Sequence, residues 1–273
     1  MKVRDIIGYK LMGEIGCCIA LVLAYLPLAS APAARAISSD QNLSANPDSP
    51  ALTLVFSDDF STDPNTNGQW TIHRHVGDTS NEAVWDSAHQ AFHLTRAALN
   101  IGVAVFANYE LTATTWRAEF RYRAGRLGGL QHGGDGFVFM FYKNKAAYGT
   151  PASGAEKGFE LSSGTSVAGY GLQFDNYIQG CDPSQTDYCA LIQNDVCTFL
   201  GAQKFDWIGA NTWHLVQLSF AEGRIRITID GEATLDTQIG DLDYAFSGIG
   251  FGAGTGSAYG DYEIDNFRLW VAE

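Results

Sequence analysis

Arg224-Ile225-Arg226-Ile227-Thr228-Ile229, followed by Asp230-Gly231, decides the fold class. Apolar and polar residues alternate with a period of two. That puts three isoleucines on one face and Arg224, Arg226 and Thr228 on the other, the pattern of a half-buried strand. Asp-Gly is a dipeptide that turns a tight hairpin. The same grammar continues on the N-terminal side, where Leu215, Gln217 and Ser219 alternate with Val216, Leu218 and Phe220.

Further out, short apolar alternations broken by Gly, Asn, Asp and Ser run from Leu52 to the end of the chain. They predict strands over Leu52–Phe56, Ala91–Leu94, Val103–Phe106, Trp116–Tyr122, Gly136–Tyr142, Gly171–Tyr177, Tyr188–Gln193, Trp213–Phe220, Arg224–Ile229, Gly248–Ala253 and Tyr262–Trp270. No stretch predicts a long amphipathic helix, and no internal repeat is visible. Ten or more strands at this spacing do not stay in one flat sheet. They predict an all-β fold: two packed antiparallel sheets in a jelly-roll β-sandwich with aromatics between them, one domain over residues 51–273. The opening and closing strands are both strongly apolar and are expected to pair or lie close.

Composition agrees. Thirty glycines and 12% aromatic residues favour short strands and tight turns. The formal charge of −13 repels a polyanion, so nucleic acid is not expected as a partner. A neutral glycan or a divalent cation suits an acidic surface.

The first 36 residues read as a signal peptide. Lys2, Arg4 and Lys10 form the basic start, Ile15 to Leu28 the apolar centre, and Ala34-Arg35-Ala36 the small-x-small cleavage motif. The apolar run is short for a spanning helix. Cleavage after Ala36 is expected, giving a secreted or extracytoplasmic protein that is not transmembrane; an uncleaved anchor is the alternative. Cys17 and Cys18 begin the apolar run instead of ending it, so lipidation is not expected. Residues 37–50 are polar, lack periodicity and read as a disordered linker. Removing residues 1–36 leaves 13 basic and 28 acidic residues, a net charge of −15. Cys181, Cys189 and Cys197 then remain, and an oxidising compartment predicts one disulfide of open connectivity among them. A zinc site is set aside, since there is no C-x-x-C and no nearby His pair.

Three segments carry candidate chemistry. In Gly133-Gly134-Asp135-Gly136, a glycine-flanked Asp precedes a very apolar strand, which presents a carboxylate where a ligand can approach. A turn Asp bonding its own backbone is the alternative. In Phe174-Asp175-Asn176-Tyr177-Ile178-Gln179, alternation places Asp175, Tyr177 and Gln179 on one strand face, and Asp182 follows in a loop. Carboxylates, an amide oxygen and a backbone carbonyl are the hard oxygen ligands that Ca²⁺ takes. In Gly248 to Phe267, a small-residue strand leads into a glycine-rich loop that could place Tyr259 against a sugar face. The His132 side chain, near Asp135 in sequence, is a minor addition; His73 and His75 share a strand face but have no third partner.

Together, over about residues 115–270, these segments resemble the L-type (legume-lectin-like) lectins of the concanavalin-like superfamily, including secretory cargo lectins and bacterial relatives. The resemblance implies a carbohydrate site of Asp135, Gly136, Gln179, Gly256, Ser257, Ala258 and Tyr259, and glycans or glycoproteins as partners. It also implies a Ca²⁺ site of Asp175, Tyr177, Gln179 and Asp182. Gln173 stands where plant members carry a Glu metal ligand, and no His follows Asp182-Pro183, so no transition metal is expected. Gln179 stands where the family has Asn. A single lectin site is weak, so homo-oligomers would supply avidity.

The same sandwich carries glucanases that need E-x-D-x-(x)-E on one strand. Here the strand reads Gln173-Phe174-Asp175-Asn176-Tyr177. An amide at the first position neither attacks an anomeric carbon nor donates a proton usefully. The expectation is a carbohydrate-binding protein without catalysis. A glycoside hydrolase, or a structural or adhesion module with a degenerate sugar site, is the alternative.

Overall fold

The computed structural model describes residues 51–75, 80–129, 133–164, 168–183, 187–204, 210–239 and 246–272. The expected signal peptide and linker lie outside the described residues, as does His132.

The described chain is built from strands, with two short 3₁₀ turns at Lys145–Ala147 and Gly154–Glu156. In chain order the strands are β1 (Leu52–Asp58), β2 (Trp70–Arg74), β3 (Glu82–Asp86), β4 (Ala91–Thr95), β5 (Ile101–Ala107), β6 (Trp116–Gly129), β7 (Gly136–Tyr142) and β8 (Gly169–Asp175). They continue as β9 (Tyr188–Gln193), β10 (Phe199–Lys204), β11 (His214–Ala221), β12 (Arg224–Ile229), β13 (Glu232–Gln238), β14 (Gly248–Thr255) and β15 (Ala258–Ala272).

They form two antiparallel sheets. The first runs β13-β12-β11-β6-β15-β4-β3, with β1 also paired to β15; the second runs β10-β9-β8-β7-β14-β5-β2. The fold is therefore the all-β jelly-roll sandwich that the alternation predicts. β12 keeps its two faces: Ile225, Ile227 and Ile229 are buried, while Arg224 and Arg226 are exposed. Asp230 and Gly231 both take positive φ, as a two-residue hairpin turn requires. The first and last strands pair, from Leu52 opposite Ala272 to Asp58 opposite Phe267.

Between the sheets lies an aromatic core. Phe137, Phe139 and Phe141 of β7 face Tyr122, Phe120 and Trp116 of β6. The other face of β7 is buried too, as a second cluster of Val138, Met140 and Tyr142 packs with Tyr148 and Phe159. Tyr148 and Phe159 belong to the segment 144–164, which crosses the outer face of the second sheet. A strand covered on both faces reads as a continuous apolar run, as Gly136–Tyr142 does. The crossing segment also brings new polar groups to the end of β7 and β8, where the candidate site lies.

Candidate functional site

Asp135 sits at the start of β7, after a cis Gly134-Asp135 peptide. Its backbone N–H donates to Gly254 O of β14 at 3.0 Å, and its carbonyl accepts from Asn176 N–H at 3.4 Å. The side chain is 4% exposed, and its Oδ2 has no hydrogen-bond partner. Two glycines border that oxygen. A Cβ on Gly256 would lie 3.2 Å from it and one on Gly154 3.9 Å away. Burial pushes the Asp135 carboxyl up to about 6. The Lys157 ammonium and the Gly256 N–H pull it down, while Asp175 and Glu156 push it further up.

Asp175 ends β8 and is fully buried. Its Oδ1 accepts from Tyr177 N–H at 2.9 Å, two residues on. That side-chain turn stops the strand, so Tyr177 and Gln179 lie beyond it and do not continue its face, as the alternation had implied. Asp182 nevertheless returns to Asp175. The Tyr188 hydroxyl, at the start of β9, bridges them at 3.1 Å to Asp175 Oδ2 and 2.8 Å to Asp182 Oδ1. Gln173 donates to the same hydroxyl at 2.8 Å. Burial and the two carboxylates push the Tyr188 phenol far up, so it stays a donor. The Gln179 backbone N–H donates to Asp182 Oδ2. A disulfide joins Cys181 to Cys197 across 5.6 Å between Cα atoms and anchors this loop to the β9–β10 turn; Cys189 is free and buried.

The remaining charge comes from Lys157, in the crossing segment. It is 1% exposed, and its Nζ lies 2.6 Å from Asp175 Oδ2 and donates to Ala155 O at 2.7 Å. Burial pushes the Asp175 carboxyl up, and this ammonium opposes the push. Ca²⁺ takes six to eight oxygens at roughly 2.3–2.6 Å around one point. Here the oxygens of Asp175 and Asp182 face an ammonium, a phenol and two backbone N–H groups. As arranged, the residues do not fit a calcium ion.

The third segment is tighter than its glycines suggest. Gly254 and Thr255 end β14, Ala258 begins β15, and only Gly256 and Ser257 lie between them. Ala258 faces the site, 3.1 Å from where a Gly134 Cβ would stand, as does Tyr177. Tyr259, the next strand residue, turns to the other face and lies over Gly128. Asp135, Gly136, Gly256 and Ala258 are thus brought together with Asp175 and Asp182, and Tyr259 is set apart. Gln179 is half-buried, with Nε2 unpartnered.

Lys157 and Tyr188 were missed by sequence reasoning. Lys157, in Gly154-Ala155-Glu156-Lys157-Gly158, lies in a stretch without periodicity and gave no signal; Tyr188 gave none either, since it reads as one more strand aromatic. A second acidic cluster, His93, Asp261 and Glu263, lies on the outer face of the first sheet. Arg126 pairs with Asp261 and Arg123 with Glu263, which balances its charge.

No protein-family model and no curated protein matches the sequence. Solved structures do match in fold. The exoplasmic/lumenal domain of VIP36, Ca²⁺/Man-bound, superposes with a TM-score of 0.56 at 14% identity, covering 74% of this chain and 82% of that one. Basic winged bean lectin with Tn-antigen gives 0.65 at 15%, covering 80% and 98%. The Lotus tetragonolobus seed lectin gives 0.66 at 11%, covering 81% and 99%. The fold is that of the L-type lectins.

Proposed function

We propose that this chain is an exported carbohydrate-binding protein, without catalysis, that takes a glycan at the end of β7. One observation carries the reading: the Asp135 carboxylate is buried with an unpartnered oxygen, and glycines keep side chains away from that oxygen. A buried acceptor without a partner costs roughly 1–3 kcal/mol, which a donating sugar hydroxyl would recover. Gly256 borders that oxygen, Gly136 follows Asp135 in the chain and Ala258 packs against Gly134; Ser257 and Gln179 complete the proposed sugar contacts. The Ca²⁺/Man-bound VIP36 domain and basic winged bean lectin with Tn-antigen share the fold and support this reading.

The source of positive charge has two versions. The resemblance implies Ca²⁺ at Asp175, Tyr177, Gln179 and Asp182; the donor arrangement favours Lys157. Glycans or glycoproteins are the proposed partners, and a homo-oligomer would supply avidity. Export follows from the leader-like residues 1–36.

A multivalent glycan array tests the reading. The wild type is expected to bind a defined glycan class, and Asp135→Asn to lose at least about tenfold in affinity, roughly 1.4 kcal/mol, with an unchanged circular dichroism spectrum. Reducing sugar released from β-glucans would instead establish a hydrolase, and silence in both assays a scaffold.

A further inference from the structure

We propose that the Lys157 ammonium takes the place of a metal ion in this site, so that glycan binding is independent of divalent cations. The inference rests on the carbohydrate reading of Asp135 and adds the identity of the cation.

Asp175 and Asp182 share one hydroxyl, and Asp135 lies close enough to Asp175 to feel its charge. Carboxylates gathered at a buried strand end need a positive charge nearby. In this molecule the charge is on the chain. Lys157 Nζ at 2.6 Å from Asp175 Oδ2 stands where an ion shared by that oxygen would stand. Two cations do not share one carboxylate oxygen at that range without strong repulsion. Every remaining oxygen of the pair also has a donor: Tyr177 N–H, Gln179 N–H and the Tyr188 hydroxyl. To admit Ca²⁺, the ammonium would have to leave and those donors turn away.

The backbone around Lys157 is shaped for it. The residue follows the 3₁₀ turn at Gly154–Glu156 in a left-handed conformation, φ 51°, with its N–H bonded to Gly154 O. Strands on both sides make room. Gly136 of β7 has φ +136°, and a Cβ there would lie 3.2 Å from Lys157 Cε and 2.1 Å from Phe174 O. A Cβ on Gly254 of β14 would lie 2.9 Å from Lys157 Cα and 2.5 Å from Gly154 O. Gly136 thus leaves room for the Lys157 side chain, and Gly254 for the backbone of the turn that carries it. Gly154 in the same turn also borders Asp135 Oδ2, so the segment that delivers the cation also shapes the sugar-facing wall.

The test uses the whole exported chain and reads metal and stability apart from sugar. After exhaustive EDTA dialysis the wild type is expected to keep its melting temperature. Millimolar Ca²⁺ is expected neither to raise that temperature nor to bind at one ion per chain by mass spectrometry of metals. Lys157→Met leaves the carboxylates without their cation. It is expected to melt lower and to gain a stabilising response to millimolar Ca²⁺ that the wild type lacks. Stoichiometric Ca²⁺ in the wild type, a melting temperature lowered by EDTA, or a Lys157→Met protein as stable as wild type and blind to Ca²⁺ would each overturn the proposal. If Lys157→Met does not fold, the wild-type metal and melting data decide alone. The glycan array repeated in EDTA should give the wild-type pattern, and binding abolished by EDTA overturns the proposal. An array silent in every buffer would sink the carbohydrate reading and leave the metal result standing.

Discussion

Asp135 holds a carboxylate in a place from which water is largely excluded, and its chemistry follows from that. Its carboxyl is pushed from 3.8 to about 6, first by burial. The unfolded chain keeps the ordinary value, so the folded state holds the proton more tightly. The resulting stabilisation is fully present below about pH 4 and is lost as pH rises through about 6. Sugar hydroxyls donate to the charged form, so binding runs the other way. Lowering the pH from about 7.5 to about 5 is expected to weaken glycan binding while this group contributes stability. Lys157, Asp175, Glu156 and the Gly256 N–H face the carboxyl and set where the change falls. Asp135→Asn isolates the group: at neutral pH it is expected to unfold about 1–3 kcal/mol harder than wild type, with a flatter stability profile between about pH 4 and 6. Urea titrations at several pH values check this, and binding that strengthened on acidification would remove Asp135 as the acceptor. The acids of the site were legible in the sequence because Asp135 stands among glycines directly before a very apolar run, and Asp175 and Asp182 lie at and beyond the end of another strand. Lys157 was not, since nothing periodic ties residues 144–164 to the sheet they cross. Tyr188 was not, because its role depends on what β8 places opposite it.

At the level of elements, the strands with clear alternation or dense apolar runs were legible, from Leu52 to Trp270. β2, β3, β10 and β13 were not. β2, β3, β10 and β13 are the outermost members of the sheet paths, and β13 buries none of its side chains fully. An edge strand needs no apolar alternation to pair, only backbone groups, so its sequence carries little signal. The loop from Asn176 to Asp187 posed a related problem, since three cysteines left its anchoring open. The Cys181–Cys197 bond resolves it and closes a loop with a sequence separation of 16 residues. Cross-linking a loop of this size stabilises a fold by about 3 kcal/mol on the chain-entropy account. Replacing both cysteines by serine is expected to lower stability by about that amount in a urea titration. Glycan affinity should fall as well, because Asp182 and Gln179 lose their tether. Cys189 is buried at the core and needs no substitution for this test.

Across the whole molecule, β15 is the strand on which the first sheet closes. β6 pairs with it from Ala258 to Val271. Its other edge is divided: β4 takes Tyr262 to Ile264, and β1 takes Phe267 to Ala272. β1 also reaches into the core. Phe56 meets Trp70 edge-on with ring centroids 5.5 Å apart, and Asp58 accepts from Trp70 Nε1 at 2.7 Å and from Phe60 N–H at 2.7 Å. The folded unit therefore needs β1, whereas residues 37–50 read from the sequence as a disordered linker. A chain beginning at Ala51 is expected to unfold cooperatively at the same urea midpoint as one beginning at Ile37. A chain beginning at Asp59 leaves half of one β15 edge unpaired and Trp70 Nε1 without its acceptor. Losing a buried hydrogen bond to a charged group alone costs about 1.5–3 kcal/mol, and the apolar contacts of Phe56 and Val55 add to it. That chain is expected to lose several kcal/mol, roughly half or more of what a domain of this kind has to spare, and to aggregate through its exposed edge. Equal midpoints for the chains starting at Ala51 and Asp59 would mean that β4 and β6 hold β15 without help. The pairing of the first and last strands would then be a consequence of the fold and not one of its causes.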